Sequence, residues 1–254
     1  MVALLCMVGN DYQRIIDGIN HWKKFETIDA IYLFFDRKRD KYGFASRRNV
    51  KDLSSTLTNN VLKPKTIGYN PQSYQNVFCT FYSIIKRDID DFHREALIDT
   101  TSTTKEAYGA IVTVSLMFRH IKIYIVPPKQ RGWYVPSQDS SEFKKWFSMT
   151  RSIKGMTPQQ IYLPAQRLKQ PNREEKMVLL KLVEHGGTSE TITQIMKWCN
   201  LNSNHPVVKT RFSRLTRRLE RKGFIQKEPS KQGVKVSLTS FGEIYAEAIK
   251  KYRG

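Results

Sequence analysis

Short apolar runs and longer amphipathic stretches alternate through the first 126 residues, and this alternation limits the possible folds more than any other feature of the sequence. The apolar runs are rich in Val, Ile, Leu, Phe and Tyr, which favour strands. Strands that alternate with helices predict an α/β fold, a parallel sheet with helices on both faces. The predicted elements, in order, are strand Val2–Val8, helix Tyr12–Lys24, strand Ile28–Phe35, helix Ser46–Asn59, strand Lys65–Tyr69, helix Pro71–Arg94, strand Ala96–Thr100, helix Lys105–Arg119 and strand Ile121–Val126. The strand order expected for them is 3-2-1-4-5.

A region with a different pattern follows the predicted sheet. Pro127 and Pro128 end the fifth strand, and residues 129–172 contain many glycines and prolines, so we interpret them as an irregular lobe and connector. From residue 173 onward the periodicity is mainly helical. The predicted elements there are helices Arg173–Glu184, Thr191–Trp198 and Pro206–Lys222, strands Phe224–Glu228 and Val234–Leu238, and helix Ser240–Lys251. A length of 254 residues fits two domains, which we predict at 1–128 and 173–254.

The segment from Val207 to Lys222 is a strongly basic amphipathic stretch. At 3.6 residues per turn, one stripe carries the apolar side chains Val208, Phe212, Leu215 and Leu219. The opposite face carries Thr210, Ser213, Arg214, Arg217 and Arg221. Only Glu220 offsets seven Lys and Arg, whereas a solvated surface helix normally mixes both charge signs. One side is therefore predicted to pack into a core and the other to face a polyanion.

The order helix, helix, basic helix and β-hairpin is that of a winged helix-turn-helix domain. In such a domain the third helix enters the major groove and the hairpin lies against the neighbouring backbone. Arg and Lys attract phosphates, while Arg, Ser and Thr also hydrogen-bond base edges. We predict contacts to double-stranded DNA at Lys209, Thr210, Ser213, Arg214, Arg217, Arg218 and Arg221, and at Lys231 in the hairpin tip. The alternative is that these arginines only solvate the exposed helix of a domain used for protein contacts.

Composition and charge agree with a nucleic-acid partner. The formal net charge is +20 and the isoelectric point is about 9.9, which favour nucleic acid over an anionic membrane surface. The three cysteines are scattered without CxxC spacing, so neither a disulfide framework nor a zinc site is expected. The apolar start is too short for a signal peptide, and no apolar run approaches about 18 residues. We therefore expect a cytoplasmic protein with no membrane partner.

Two polar loops of the predicted sheet are candidates for a ligand site. In an open parallel sheet, ligands bind beyond the carboxyl ends of the strands where the strand order reverses, here between the first and fourth strands. The second loop precedes a helix, whose free N–H groups and dipole favour an anion. It is not a Walker A loop, and GNDYQR is not GxGxxG. A phosphate or polar nucleotide is therefore predicted at Gly9, Asn10, Asp11, Thr100, Thr101, Ser102, Thr103, Thr104 and Lys105.

A simpler interpretation of the same loops stays open. Thr103 or Thr104 could only cap the helix while Lys105 is solvated, since threonine caps are common. Gly9 could serve a tight strand-to-helix turn that needs no ligand. The predicted meeting of both loops at one switch point favours a site.

The motifs MVGNDYQRI and IDTTSTTKEAYGA resemble the CRISPR-associated Rossmann-fold (CARF) domain, especially that of archaeal CARF–winged-helix transcription regulators. Lys154-Gly155 and Tyr162-Leu-Pro164 resemble the connector of that group. LTRRLERKGFI and LTSFG, near the C-terminus, resemble the recognition helix and wing exit of MarR and ArsR-like regulators. The resemblance thus implies a Rossmann-like sheet followed by a mainly α-helical winged helix-turn-helix domain.

The same resemblance implies how such a protein would work. It implies a homodimer that binds a nucleotide second messenger, a cyclic oligoadenylate, across its two-fold axis and relays this to DNA, possible targets being CRISPR-linked defence genes. Carried over to this chain, the ligand residues are Gly9, Asn10 and Asp11 in one loop and Thr101, Ser102, Thr103 and Lys105 in the other. The ring size of the ligand, the target promoter and the choice between activation and repression stay open.

Other functions fit the sequence less well. The acidic cluster from Asp88 to Glu95 is interpreted as a solvated helix end rather than a metal site, and the basic loop from Arg37 to Asp40 as a solvated charge run. The five histidines stand apart, so no catalytic residues, metal or cofactor are predicted. Two alternatives remain. One is a ring nuclease that degrades cyclic oligoadenylate with Ser102, Thr103 and Lys105; the other is a ligand-independent DNA-binding protein.

Overall fold

The computed structural model describes residues 1–58, 63–129, 136–155, 157–161, 168–202, 205–230 and 233–253. The chain divides into two compact units, Met1–Arg167 and Leu168–Gly254. The division falls inside the stretch that the sequence interpretation treated as a connector. None of the helices in the described ranges is long and apolar enough to cross a membrane.

The first unit is built on the predicted parallel sheet. Its elements are β1 (Val2–Val8), α1 (Tyr12–Trp22), β2 (Ile28–Asp36), α2 (Lys41–Thr58), β3 (Lys65–Tyr69), α3 (Tyr74–Asp90), β4 (Glu95–Asp99), α4 (Lys105–Ser115) and β5 (Ile121–Ile125). The five strands are parallel and lie in the order β3-β2-β1-β4-β5, which confirms the predicted order. The strand order therefore reverses between β1 and β4.

Burial of β1 on both faces explains why its seven residues are all apolar. Leu4 and Cys6 belong to a core cluster with side chains of α1 and α2. On β2, Phe34 does not belong to this cluster; it stacks on Phe81 of α3, with 4.4 Å between ring centroids. Side chains that alternate along a strand reach opposite faces, so this sheet has helices on both sides.

Two elements of this unit lie in the stretch that was interpreted as irregular. Helix α5 (Ser141–Arg151) and strand β6 (Gln159–Ile161) both fall within 129–172. Strand β6 pairs antiparallel with β5 and adds an edge to the sheet. Ser140 caps α5 through a hydrogen bond from the backbone N–H of Phe143 (3.2 Å). Phe143 is the one buried residue of α5, which is why the apolar pattern gave too little signal to predict a helix.

Some helices of the first unit have different bounds from those predicted. Helix α2 begins at Lys41, not at Ser46, because Asp40 accepts a hydrogen bond from the backbone N–H of Gly43 (2.8 Å) and starts the helix earlier. Helix α3 ends at Asp90, four residues before the predicted end at Arg94.

The second unit consists of four helices and a three-stranded antiparallel sheet in its described residues. The elements are α6 (Arg173–Glu184), β7 (Thr188–Ser189), α7 (Ile192–Trp198), α8 (Pro206–Arg221), β8 (Ile225–Ser230), β9 (Gly233–Leu238) and α9 (Ser240–Arg253). The sheet order is β7-β9-β8, and β8 and β9 form a hairpin. Strand β7 has only two residues, too few for sequence periodicity to indicate it.

Candidate functional site

Helix α8 divides into a buried and an exposed face. Phe212, Leu215 and Leu219 are at most 3% exposed, as the apolar stripe predicts. Val208, the fourth member of that stripe, is only partly buried. Thr216 is fully buried beside the stripe, and its hydroxyl hydrogen-bonds to the backbone carbonyl of Ser213 (3.1 Å). The helix is thus fixed in its unit by one side.

The other side of α8 presents most of the predicted DNA-binding residues together. A shallow depression on the helix surface is lined by Lys209, Thr210, Ser213, Arg214 and Arg217. All of these are exposed except Ser213, which is partly buried, and Arg221 is also exposed. Within the described ranges, Lys209, Arg214, Arg217 and Arg221 form no ion pair. Their charge is therefore available to a polyanion.

Arg218 has a different environment from the other predicted DNA contacts. Its Nε lies 3.0 Å from Oε1 of Glu175, a buried carboxylate in the first turn of α6. Lys222 Nζ reaches Oε2 of the same carboxylate at 2.6 Å. Arg218 is thus engaged in fixing α8 against α6. Lys231, the predicted contact in the hairpin tip, lies outside the described residues.

The Glu175 carboxylate also completes a capping box at the start of α6. Asn172 accepts a hydrogen bond from the Glu175 N–H, and the Asn172 N–H donates to Glu175 Oε2 (2.8 Å). Burial by itself would raise the pKa of Glu175, but the hydrogen bonds from Lys222, the Asn172 N–H and Arg218 outweigh it and lower the pKa. Glu175 is therefore an ionised anchor that sets the position of the basic helix.

In the first unit, a cavity of about 660 Å³ opens beyond the carboxyl ends of the parallel strands. Seven of the nine predicted ligand residues line it: Gly9, Asn10, Asp11, Thr101, Ser102, Thr103 and Thr104. This is the place where an open parallel sheet binds ligands. The lining also includes residues from the loops after β2 and β3 and from α5, which the prediction did not contain.

A chain of polar contacts joins the two predicted loops. Ser102 Oγ donates a hydrogen bond to Asp11 Oδ2 (2.7 Å), and Asp11 Oδ1 pairs with Arg14 Nη1 (2.6 Å). The loops also touch at Gly9, where an added Cβ would lie 3.0 Å from the Ser102 Cβ. Gly9 is thus needed for the close approach of the two loops, and not only for a turn within its own loop.

Arg14 is the cavity residue that the sequence reasoning missed most clearly. It is 8% exposed, and its Nε donates to the carbonyl of Val126 (2.8 Å) while Nη1 pairs with Asp11. The remaining guanidinium N–H groups have no hydrogen-bond partner among the residues that the structure describes. The spacing of three residues between Asp11 and Arg14 could have indicated this pair, because residues three apart on a helix are neighbours.

Two side chains of α2 donate hydrogen bonds to the backbone at the end of β1 and in the loop after it. Ser46 Oγ donates to the carbonyl of Val8 (2.5 Å), and Asn49 Nδ2 donates to the carbonyl of Gly9 (2.8 Å). Both side chains are fully or nearly fully buried. The loop is thus held in place by contacts within the fold.

The threonines of the second loop have separate roles. Thr104 caps α4 by accepting from the Ala107 N–H (3.2 Å), and its hydroxyl donates to the carbonyl of Pro71 (2.6 Å). Thr103 Oγ1 is buried and, within the described ranges, has no hydrogen-bond partner. Thr100 lies behind the cavity, where its hydroxyl donates to the carbonyl of Tyr124 (2.9 Å). Lys105 is exposed at the start of α4 and does not line the cavity.

Beneath this loop lies a buried carboxyl group, Asp99, at the end of β4. Its Oδ1 accepts a hydrogen bond from the Thr101 N–H (2.8 Å), while Oδ2 has no hydrogen-bond partner among the described residues. Burial raises the pKa of Asp99 to about 6, although the hydrogen bonds from Thr101 act in the opposite direction. Cys6 and Tyr124 are buried as well; their own burial, and after it the nearby charge of Asp99, raise the pKa values of both groups.

The charged segments that were interpreted as solvated are partly engaged in the fold. Asp88 is fully buried and pairs with Arg94 (3.1 Å), so it is not part of a solvated helix end. Arg94 also pairs with Asp29 (2.7 Å). In the loop after β2, Asp40 lines the cavity. Within the described ranges, no group of three or more His, Cys, Asp and Glu is placed to hold a metal ion.

Comparisons with known proteins give only distant similarities. No protein-family model and no curated protein matches the chain. Among solved structures, the chain is similar to Csm6 of Enterococcus italicus bound to cyclic hexa-2'-fluoro-hexa-dAMP, with 13% identity and a TM-score of 0.44 over 88% of this chain and 56% of that one. It is also similar to protein VC1899 of Vibrio cholerae, with 10% identity and a TM-score of 0.40 over 99% and 66%. The chain thus spans less than two thirds of either structure.

Proposed function

We propose that this protein is a dimeric DNA-binding transcription regulator whose second unit is a winged helix-turn-helix domain. The observation that carries the proposal is the exposed face of α8, where Lys209, Arg214, Arg217 and Arg221 have no acidic partner in the described residues. A helix that merely solvates a domain surface mixes both charge signs. The helix order and the β8–β9 hairpin provide the framework in which such a helix enters the major groove.

Contacts of α8 to base edges and contacts to phosphates predict different effects of mutation. A bidentate arginine on a guanine edge contributes about 1–3 kcal/mol and specifies one base pair, whereas a phosphate contact weakens binding to all sequences. Arg214 and Arg217 lie one turn apart with Ser213 and Thr210 beside them, so they are the candidates for base contacts. Arg218 is expected to contribute less, because its Nε is held by the Glu175 carboxylate, which it shares with Lys222.

The test is fluorescence anisotropy with a duplex from the region upstream of the protein's own gene. Arg214→Ala and Arg217→Ala should each weaken binding about 5- to 150-fold, which corresponds to about 1–3 kcal/mol. Lys250→Ala, which removes an exposed cation from α9, is the matched control and should bind as the wild type. An unchanged affinity in the Arg214→Ala/Arg217→Ala double variant would refute the assignment of α8 to the groove.

For the first unit, we propose that the cavity binds a cyclic oligoadenylate that regulates DNA binding. Its position at the switch point, the helix start of α4 and the remaining N–H donors of the Arg14 guanidinium support an anionic nucleotide. Calorimetry with cyclic tetra-adenylate and cyclic hexa-adenylate tests the ligand, and light scattering tests the homodimer. The absence of heat with both compounds would leave a ligand-independent DNA-binding protein as the better interpretation.

Lys105, a ligand residue implied by the family resemblance, needs a separate test, because it does not line the cavity within one chain. If a second chain completes the site, Lys105→Ala should weaken binding of cyclic tetra-adenylate in the dimer. Incubation of the same compound with the protein, followed by chromatography for linear products, tests the ring nuclease alternative. We propose that no cleavage occurs, since the Ser102 hydroxyl is held by Asp11, whose carboxylate is itself paired with Arg14.

A further inference from the structure

We propose that Trp146 of α5 and Tyr42 at the start of α2 form an aromatic wall that stacks on a base of the ligand. This inference rests on the proposed ligand-binding function and specifies which part of the cavity reads the base. Both side chains line the cavity, Tyr42 is 49% exposed, and Trp146 is only partly buried. Aromatic rings offer a face to any nucleobase, and stacking of this kind is tolerant of base identity.

The wall is held firmly on the first unit by α5. Phe143, on the same helix, is 3% exposed and packs edge-on against Phe44 of α2, with 6.0 Å between ring centroids. Arg151 Nη2 pairs with Asp52 of α2 (2.7 Å). The Trp146 ring packs on that of Phe143 at 5.2 Å between centroids. Trp146 is therefore a positioned ring rather than a loosely exposed one.

The chemistry of the cavity lining separates a phosphate side from a base side. At the centre of the sheet, the first turn of α1 brings Arg14, which pairs with the Asp11 carboxylate and has further N–H donors, and the start of α4 brings backbone N–H groups. Both suit phosphate. The loops after β2 and β3 bring Asp40 and Gln72. The Gln72 Oε1 accepts a hydrogen bond from Lys38 Nζ, so Asp40 is the acceptor considered for the base. A carboxylate oxygen accepts a hydrogen bond from an exocyclic amine and repels phosphate. Tyr42 follows Asp40 in the chain, so the aromatic wall lies on the side that favours a base.

The cavity volume is consistent with a phosphate side and a base side. At about 660 Å³ it lies within the range of roughly 300–1,000 Å³ typical of small-molecule sites. Such a volume has room for a base against the wall and a phosphate at the central loops. A ligand of phosphate alone would leave the exposed part of the Tyr42 ring and the partly exposed Trp146 ring without a ligand contact.

The experiment measures binding of cyclic tetra-adenylate and cyclic hexa-adenylate to full-length variants by calorimetry. Trp146→Ala and Tyr42→Ala should each weaken binding about 5- to 150-fold, which corresponds to the roughly 1–3 kcal/mol lost when one stacked base loses its aromatic partner. Trp146→Phe, which keeps a ring, should retain most of the affinity. Met149→Ala is the matched control, because Met149 is 61% exposed on α5 and does not line the cavity.

The outcomes distinguish a failure of the aromatic wall from a failure of the proposed ligand-binding function. A wild-type protein that binds neither compound overturns the proposed ligand and the wall together. Wild-type binding that persists unchanged in Trp146→Ala and Tyr42→Ala overturns the wall alone. Equal losses in Met149→Ala and Trp146→Ala would show that α5 has been disturbed as a whole, and would also overturn the stacking role.

Discussion

Replacing Asp99 by asparagine should abolish a specific pH dependence of the stability of the first unit. Asp99 is fully buried, and the groups facing it are Cys6 on β1, Tyr124 on β5 and Arg14 on α1. Burial raises its pKa from 3.8 to about 6. The folded state therefore retains a proton that the unfolded chain releases, so the stabilisation is complete at low pH and is lost as the pH rises through 6.

The size of the effect follows from the shift. A change of about 2 pKa units corresponds to about 3 kcal/mol of differential stability, since each unit is 1.36 kcal/mol. Most of this loss should occur between about pH 4 and pH 6.5, because the unfolded carboxyl ionises first and the folded one follows. The carboxamide of the Asp99→Asn variant carries no charge at any of these pH values. The stability of the variant relative to the wild type should therefore increase by about 2–3 kcal/mol from pH 4 to pH 8.

Urea titrations of 5-fluorotryptophan-labelled protein, followed by ¹⁹F NMR, measure this difference. Trp22 reports the first unit, because its ring packs against Tyr124 at 5.6 Å between centroids. Trp198, which stacks on His185 at 4.1 Å, reports the second unit and serves as the internal control. A difference between variant and wild type that stays constant at the Trp22 signal from pH 4 to pH 8 would refute the argument, as would an equal change at Trp198.

Substitutions at three further positions test the packing inside each unit. Glu175→Ala should destabilise the second unit by about 2–4 kcal/mol in urea titrations, since it leaves two cations and a helix cap without their carboxylate; Glu175→Gln, which keeps some of these hydrogen bonds, should cost less. Gly242→Ala should prevent that unit from folding natively, because the new Cβ would lie 1.9 Å from the carbonyl oxygen of Phe224, and an unchanged melting temperature would contradict this contact. Gly9→Ala should destabilise by about 1–3 kcal/mol through the Ser102 Cβ at 3.0 Å and should also weaken cyclic tetra-adenylate binding, which calorimetry can check.

Regular alternation made the sheet of the first unit predictable from sequence. Strand β1 (Val2–Val8) and strand β3 (Lys65–Tyr69) have the predicted bounds, and the strand order is the predicted one. In such a sheet the central strands need a continuous apolar run and each helix needs one apolar face, whereas β3 lies at the edge of the sheet and is partly exposed. Helix α5 gave no comparable signal, because its contacts depend on Phe143 and an ion pair with α2 rather than on a periodic stripe.

The dependence on periodic patterns also explains which site residues could be predicted. Gly9 and Ser102 follow directly from the rule that places ligands beyond the strands at the switch point. Trp146 and Tyr42 could not be found in this way, because α5 lies in a stretch without a periodic pattern and Tyr42 was placed before the predicted start of α2. Thr100 was predicted as a ligand residue, but its hydroxyl is used by the carbonyl of Tyr124. Sequence gives the edge of the sheet, and tertiary contacts decide which side chains face the cavity.

The pairing of cations differs between the two candidate sites, and this difference predicts how salt affects each. Arg14 in the cavity is already paired with Asp11, so a ligand there gains little from releasing counterions. On α8 the four cations Lys209, Arg214, Arg217 and Arg221 have no such partner in the described residues. If each neutralises one phosphate, the logarithm of the DNA association constant should fall with a slope of about −3.6 against the logarithm of salt concentration, or about 150-fold between 50 and 200 mM for each protomer bound. Affinity for cyclic tetra-adenylate should change far less over that range. A DNA affinity that falls less than about tenfold in the same titration would contradict the phosphate contacts of α8, because contacts made mainly to other proteins or to apolar surface release few ions.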